Sequence, residues 1–298
     1  MTHLYSKTLE FLESCSGADG AQRKIEYIQS SLYVGYSAIK TIEERMYEIL
    51  RHPRIGRMPS LLLLSRTNNG KSTVLRRFAK KNLAYTEESE GCVNAPVLGF
   101  VMPEGPTEIL FLDSILRATS IGYKRTEPFR DKLDQVFRIL EKLKTKVILI
   151  DEIHHLAAGS PAQQRLLMNL MKNLSTQFSI SFIVAGTAEA RNIFSADEQL
   201  ANRFQPMIIP VWQDDVEFQG LLQSFETLLP FEEPSQLASM SGYILDRTDR
   251  TIGNIYNLLK LASIKAIKNG EKKITKRILA DCGHLSPSEL ANERKKPI

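Results

Sequence analysis

Ser65-Arg66-Thr67-Asn68-Asn69-Gly70-Lys71-Ser72-Thr73 is the stretch whose residue types and spacing most directly imply chemistry. It follows four leucines, Leu61 to Leu64, and precedes a helical pattern over Val74–Lys80. A buried strand, a tight loop ending Gly-Lys-Ser and then a helix make a phosphate-binding P-loop. Backbone N–H groups in such a loop converge on an anion, and the helix N-terminus adds partial positive charge. Lys71 then reaches the β/γ-phosphates of a nucleotide, and Ser72 holds Mg2+. One position departs from Gly-x-x-x-x-Gly-Lys-[Ser/Thr]: Ser65 stands where the first Gly belongs. Glycine is required there if the loop demands positive φ or close backbone approach.

A second constellation is Val147-Ile148-Leu149-Ile150 running into Asp151-Glu152. A strand buried on both faces delivers Asp151 to its carboxyl end, where the carboxylate can hold Mg2+ opposite Ser72. Glu152 can polarise a water for in-line attack on the γ-phosphate. The alternative, an acidic cap on a strand end, weakens because the pair follows Lys71 with a strand between. His154 and His155 come next, but Glu152-x-His-His is not His-Glu-x-x-His and no third ligand is apparent, so no metal is assigned to them. Val184-Ala185-Gly186-Thr187 ends another apolar run. The Thr187 hydroxyl can sense the γ-phosphate or orient water; it can equally cap the helix starting near Ala188, and both can hold at once. Arg203, just before the last apolar run, is the candidate arginine finger for a neighbouring subunit's nucleotide, with Arg191 as a rival and a plain surface arginine as the alternative.

These residues need a scaffold. Five short apolar runs, Leu61–Leu64, Val97–Met102, Val147–Ile150, Ile180–Ala185 and Met207–Val211, alternate with amphipathic helical stripes at Leu133–Leu143 and Leu166–Leu174. Continuous apolar strands alternating with helices predict an α/β fold with a five-stranded parallel sheet covered on both faces. Ligands then bind beyond the carboxyl ends of the strands, where the P-loop falls. A helix is predicted over 36–51, broken by His52-Pro53. After Trp212 only helical patterns remain: 216–229, 235–245, 252–268 and 274–282. The predicted organisation is an irregular N-terminal arm over 1–35, a nucleotide-binding α/β domain over 36–212, a helical lid over 213–283 and a frayed basic tail over 284–298.

The 298 residues suffice for one large domain or two ordinary ones, and 43% hydrophobic with 24% charged residues is the composition of a soluble globular protein. No apolar run approaches a membrane span, and the N-terminus has no signal-peptide core, so a cytoplasmic protein is expected. Cys15, Cys92 and Cys282 fit neither a disulfide framework nor a metal knuckle. Residues 240–298 carry twelve Lys/Arg against six Asp/Glu, although the whole chain is only +5. A basic C-terminal part suits contact with a polyanion; a solvated lysine-rich helix face is the alternative.

Taken together, the motifs resemble the AAA+ ATPases of transposition, the TniB/TnsC type. The resemblance rests on Thr67 to Lys71, on Ile150 to His154, on Gly186-Thr187 and on Gln199 to Phe204. It runs from about Tyr33 to Ala266. It implies an ATP- and Mg2+-binding regulator that forms rings or filaments of itself on double-stranded DNA. Such a regulator recruits a transposase and links it to a target-selection factor of the TniQ kind. By that resemblance Lys71, Ser72 and Thr73 bind phosphates and Mg2+, Asp151 holds Mg2+, Glu152 activates water, Thr187 is sensor 1 and Arg203 acts in trans. It also implies DNA contacts after the second core strand, here Arg117, Lys124 and Arg125. Tyr256 stands where many relatives carry a sensor-2 arginine; Arg250 is a substitute, and hydrolysis is expected to be slow or partner-dependent. A STAND-like or replication-initiator-like switch, which oligomerises without coating DNA, would use the same motifs.

Overall fold

The structure, a computed structural model, describes residues 11–12, 15, 19–30, 33–87, 91–196, 198–286 and 288–290. Most of the expected tail, 291–298, and the first ten residues of the arm lie outside them. The chain divides into two units: Ser37–Pro210, and the described residues up to Tyr36 together with those from Val211 onward.

The first unit opens with helix α2 (Ser37–Arg51) and strand β1 (Ser60–Leu64), followed by helix α3 (Lys71–Lys81). A small antiparallel hairpin, β2 (Tyr85–Glu87) with β3 (Cys92–Asn94), precedes β4 (Val97–Val101). Then come α4 (Glu108–Ala118), α5 (Phe129–Lys142), β5 (Val147–Asp151), a 3-10 turn (Ile153–Ala158), α6 (Pro161–Gln177), β6 (Ser181–Gly186), α7 (Ala188–Ser195), α8 (Glu198–Ala201) and β7 (Phe204–Ile208). The sheet is five-stranded and parallel, in the order β4-β5-β6-β1-β7. Leu61–Leu64 and Phe182–Ala185 are buried from end to end, as a strand covered on both faces requires. Helix starts follow local chemistry. Thr107 accepts from Leu110 N (3.2 Å), and Ser160 forms a capping box with Gln163, with Pro161 at the first helical position.

The last strand differs from the sequence expectation: it spans Phe204–Ile208, not Met207–Val211. Gln205 and Pro206 interrupt its apolar run. β7 is an edge strand bonded only to β1, and an edge tolerates a proline that donates no ladder hydrogen bond.

The second unit holds α9 (Val216–Leu228), a 3-10 turn (Leu237–Met240), α10 (Ser241–Asp246), α11 (Ile252–Lys268) and α12 (Lys276–Asp281) around a core of Trp212, Phe218, Leu222, Ile244, Leu258 and Ala262. The 235–245 helix expectation resolves into that 3-10 turn plus a short helix. The N-terminal segment is not wholly irregular: Gly20–Gln29 is helix α1, which packs on α11 and buries Ile25 and Ile28. Two buried apolar residues are too few to print a stripe in the sequence, so its partner helix decides it. Tyr256, on α11, donates its hydroxyl to the carbonyls of Ile28 and Ser30, each at 3.3 Å. Where a sensor-2 arginine is expected, this chain has a residue that ties down its own N-terminal segment.

Candidate nucleotide site

β1 ends at Leu64 and α3 begins at Lys71, so residues 65–70 must turn the chain in six residues. Two of them take left-handed backbone: Asn68 (φ 58°) and Gly70 (φ 89°), residue types that pay least for it. Ser65 is not among the left-handed residues. Its N–H donates to Gly186 O at 3.2 Å, extending the parallel ladder toward β6 by one bond. The glycine that the motif prescribes is therefore not needed here for a left-handed backbone. The Ser65 hydroxyl donates to Arg66 O (2.9 Å) and accepts from Lys71 Nζ (3.2 Å).

Lys71 is buried, and its ammonium also donates to Ser65 O (3.3 Å) and Arg66 O (3.0 Å). Burial lowers its pKa, while the Glu152 and Asp151 carboxylates act in the opposite direction. Both carboxylates thus lie within electrostatic reach of the Lys71 ammonium. Ser72 is half-buried and Thr73, Thr67 and Asn68 are exposed. Asn69 is buried, and its Nδ2 donates to Ile209 O and Pro210 O, so its side chain faces protein.

Asp151 closes β5 and accepts from Glu152 N at 2.9 Å through Oδ1. Glu152 turns left-handed (φ 53°, ψ 38°), an uncommon conformation for a non-glycine residue, and so breaks the strand direction at once. Its Oε2 lies 3.2 Å from His154 Nδ1. That contact is a close approach rather than a well-aligned hydrogen bond, since the same nitrogen lacks a partner by bond geometry. His155 Nδ1 instead engages Met102 O at 2.8 Å.

β6 lies between β1 and β5, which sets Thr187 between the two motif strands. Thr187 occupies the N-cap of α7 in extended conformation, yet its side chain makes no capping bond. Its Oγ1 is buried and has no partner among the described residues. An orphaned buried hydroxyl costs free energy unless something else satisfies it. Gly186, just before it, is a close-approach site: a Cβ there would lie 2.8 Å from Ile153 Cγ2 and 3.0 Å from Ala190 Cβ.

Arg203 is elsewhere. Its carbonyl accepts from Ser60 N (3.0 Å) at the start of β1, so it sits at the amino edge of the sheet, opposite the loop. Its Nη1 donates to Thr176 Oγ1 at 3.2 Å. Arg191 is exposed on α7. Arg117, Lys124 and Arg125 are also exposed, on α4 and the segment after it. One residue that sequence reasoning missed organises that segment. Lys132 is fully buried, and its Nζ bonds Asp113 Oδ1 (2.5 Å) and Arg125 O (3.1 Å) and lies 5.8 Å from the Tyr123 ring centroid. In sequence it reads as one more lysine on a polar helix face.

Among the described residues no helix is long and apolar enough to cross a membrane. No curated protein sequence shows significant similarity to the chain. Solved structures do. The Aeropyrum pernix ORC2 protein in its ADPNP–ADP complexes superposes with a TM-score of 0.63 at 14% identity, covering 87% of this chain and 71% of that one. The Aeropyrum pernix ORC1 protein in complex with DNA gives 0.61 at 16%, over 87% and 68%. Cdc6p from Pyrobaculum aerophilum gives 0.57 at 16%, over 83% and 67%. At these identities the likeness establishes the fold, that of P-loop AAA+ ATPases. The profile of the Bacterial TniB protein family matches residues 24–214, which span both motif strands, Thr187 and Arg203, and the chain belongs to the TniB family.

Proposed function

We propose that this chain is a cytoplasmic ATPase that assembles with copies of itself on double-stranded DNA and regulates transposition, recruiting a transposase and linking it to a target-selection factor of the TniQ kind. The observation that carries the nucleotide half is the convergence of buried Lys71, the Asp151-Glu152 pair and the unpartnered Thr187 hydroxyl at the carboxyl ends of β1, β5 and β6. Membership of the TniB family supports the transposition half.

In this reading residues 65–73 cradle the phosphates of ATP with backbone N–H groups, and Lys71 moves its ammonium from the Ser65 and Arg66 carbonyls to phosphate oxygens. A hydroxyl and a carboxylate are the oxygen donors a hard cation takes, so Ser72 and Asp151 fit Mg2+, which supplies charge neutralisation on the phosphates. Glu152 accepts a proton from the attacking water. The water oxygen bonds to the γ-phosphorus as the bridge to ADP breaks, giving ADP and phosphate. Thr187 gains a partner for its hydroxyl in that water or in a γ-phosphate oxygen. Arg203, at the far edge of the sheet, serves a neighbour's site. Hydrolysis is slow until a partner orders these groups. Exposed Arg117, Lys124 and Arg125 contact DNA phosphates without reading sequence, so binding falls steeply with salt.

The test is Glu152→Gln beside the wild type and Lys71→Ala. Glu152→Gln binds ATP and assembles on duplex DNA, seen as rings or filaments by negative-stain microscopy, but does not turn over. Lys71→Ala loses nucleotide binding and assembly. Wild-type turnover in Glu152→Gln removes that residue from its role, and monodisperse monomers with DNA and a non-hydrolysable analogue overturn the assembly reading. Nucleotide-driven assembly without a salt-sensitive DNA shift identifies the replication-initiator-like or STAND-like switch instead.

A further inference from the structure

His154 and His155 follow the acidic pair directly, and the hydrolysis described above uses neither. Both sit on the 3-10 turn Ile153–Ala158 that follows β5. That turn is held from two sides. His155 Nδ1 engages Met102 O, just past β4, at 2.8 Å, and Met102 N donates to Asp151 O at 2.9 Å. On the other side the turn packs on α7, and Gly186 at the end of β6 leaves room for it: a Cβ there would lie 3.4 Å from His154 N. The His154 ring is further confined by an edge contact with His155, the centroids 5.0 Å apart.

His154 therefore has a fixed place, and its neighbour there is Glu152. The left-handed backbone at Glu152 turns the chain so that residue 154 comes back beside its side chain, with Oε2 at 3.2 Å from His154 Nδ1. A carboxylate only accepts, so this approach is favourable only with the proton on Nδ1. Nδ1 is shielded from solvent and has no aligned partner among the described residues. A buried donor left in that way costs free energy, and a small turn of the Glu152 carboxylate would satisfy it. Hydrogen bonds of catalytic groups are often long or poorly aligned before substrate binds and tighten in the complex. Glu152 also lies within electrostatic reach of Lys71, so the same carboxylate addresses the phosphate loop and the imidazole.

We infer that His154 is a positioning residue for hydrolysis: its Nδ1–H holds one oxygen of the Glu152 carboxylate and so aims the other at the attacking water. This role rests on Glu152 being the base and on residues 65–73 holding ATP. A carboxylate held at one oxygen no longer samples unproductive directions, so its orientation is settled before the water attacks. A base oriented by a third group is the same arrangement that activates nucleophiles in other sites.

Three substitutions separate hydrogen bonding from packing. His154→Ala removes the ring, His154→Phe keeps a ring without a donor, and His154→Asn keeps a donor close to the Nδ1 position. Steady-state hydrolysis with duplex DNA, binding of a fluorescent ATP analogue and melting temperature are measured for each, with Glu152→Gln alongside. His154→Ala and His154→Phe are expected to lower kcat by about ten- to hundredfold, the cost of a misaimed catalytic group, while KM and analogue affinity stay within about twofold. His154→Asn is expected to recover most of kcat. Wild-type kcat in His154→Phe overturns the inference, because packing alone then suffices. So does a loss that His154→Asn shares in full, or one that falls on KM and affinity rather than kcat. If Glu152→Gln hydrolyses ATP as the wild type does, the assignment of the base has failed and the role of His154 falls with it. An inactive Glu152→Gln beside an unimpaired His154→Ala overturns the inference alone.

Discussion

Asn69 reaches the carbonyl of Ile209 across the sheet end, its Nδ2 donating at 3.1 Å, and a second bond to Pro210 O follows at 3.0 Å. The phosphate loop is thereby tied to the chain leaving β7. Asn69 is one of the residues that carries the family likeness, and its side chain is used to hold the loop rather than to meet a ligand. Asn69→Ala should leave two carbonyls without their donor. The expected cost is about 1–3 kcal/mol, the range for an unsatisfied buried polar group. Thermal unfolding with and without ATP checks this, and a larger loss of affinity than of stability would reveal the loop's rigidity at work.

Ser65→Gly restores the motif residue but should not improve binding. Position 65 is not left-handed, so glycine brings conformational freedom and no relief of strain. Stability is expected to fall by about 0.5–1 kcal/mol. Nucleotide affinity should stay within roughly threefold, since only the hydroxyl's contacts to Lys71 and to Arg66 O are lost. Titration of the variant with ATP decides it, and a tenfold gain would show that the serine does obstruct the phosphates.

The Lys132–Asp113 pair offers a stability test with a functional reading. Both side chains are nearly or fully inaccessible, at 0% and 7%. Asp113→Ala should cost about 3–5 kcal/mol by leaving a buried ammonium unpaired. The double variant Lys132→Met with Asp113→Leu should recover most of that stability, yet it frees the segment that Lys132 holds through Arg125 O. If Lys124 and Arg125 contact DNA, the double variant melts like the wild type and binds DNA more weakly.

His284 predicts a pH dependence in the helical unit. It is buried, neither ring nitrogen has a partner among the described residues, and Arg247 donates to its carbonyl at 2.8 Å. Burial, helped by the Arg247 charge, lowers its pKa, against smaller opposing effects from the Arg247 backbone, Glu289 and Asp249. The unfolded chain therefore binds the proton more readily. The stability from keeping His284 neutral is present above the ordinary histidine pKa and is lost as pH falls below it toward the lowered one. Melts from pH 8 down to pH 5 should show the loss, and His284→Gln should flatten it.

Much of this was legible in one dimension because its causes are local. A β-branched-rich run such as Val147–Ile150, flanked by polar residues, reads as a strand buried on both faces, and the carboxylates that end it then emerge at the sheet's carboxyl edge. Gly70 and Lys71 fix a loop and a helix start by backbone chemistry alone. The pattern failed where distant residues decide the outcome. Pro206 hid the start of β7, which survives only because it is an edge. Helix α1 buries only two apolar side chains, Ile25 and Ile28, and borrows its stability from α11.

The sequence by itself determined that this protein has a phosphate loop, an acidic strand end and a basic C-terminal part, because each depends on residue type and spacing along the chain. The tertiary structure alone decided the strand order that sets Thr187 between the two motifs, the ordinary backbone conformation of Ser65, the burial of Lys132 and the gathering of Arg45, Arg57 and Arg203 into one cleft. Those depend on which residues meet across tens of positions, and such meetings are set by the packing of the whole unit rather than by any stretch of it.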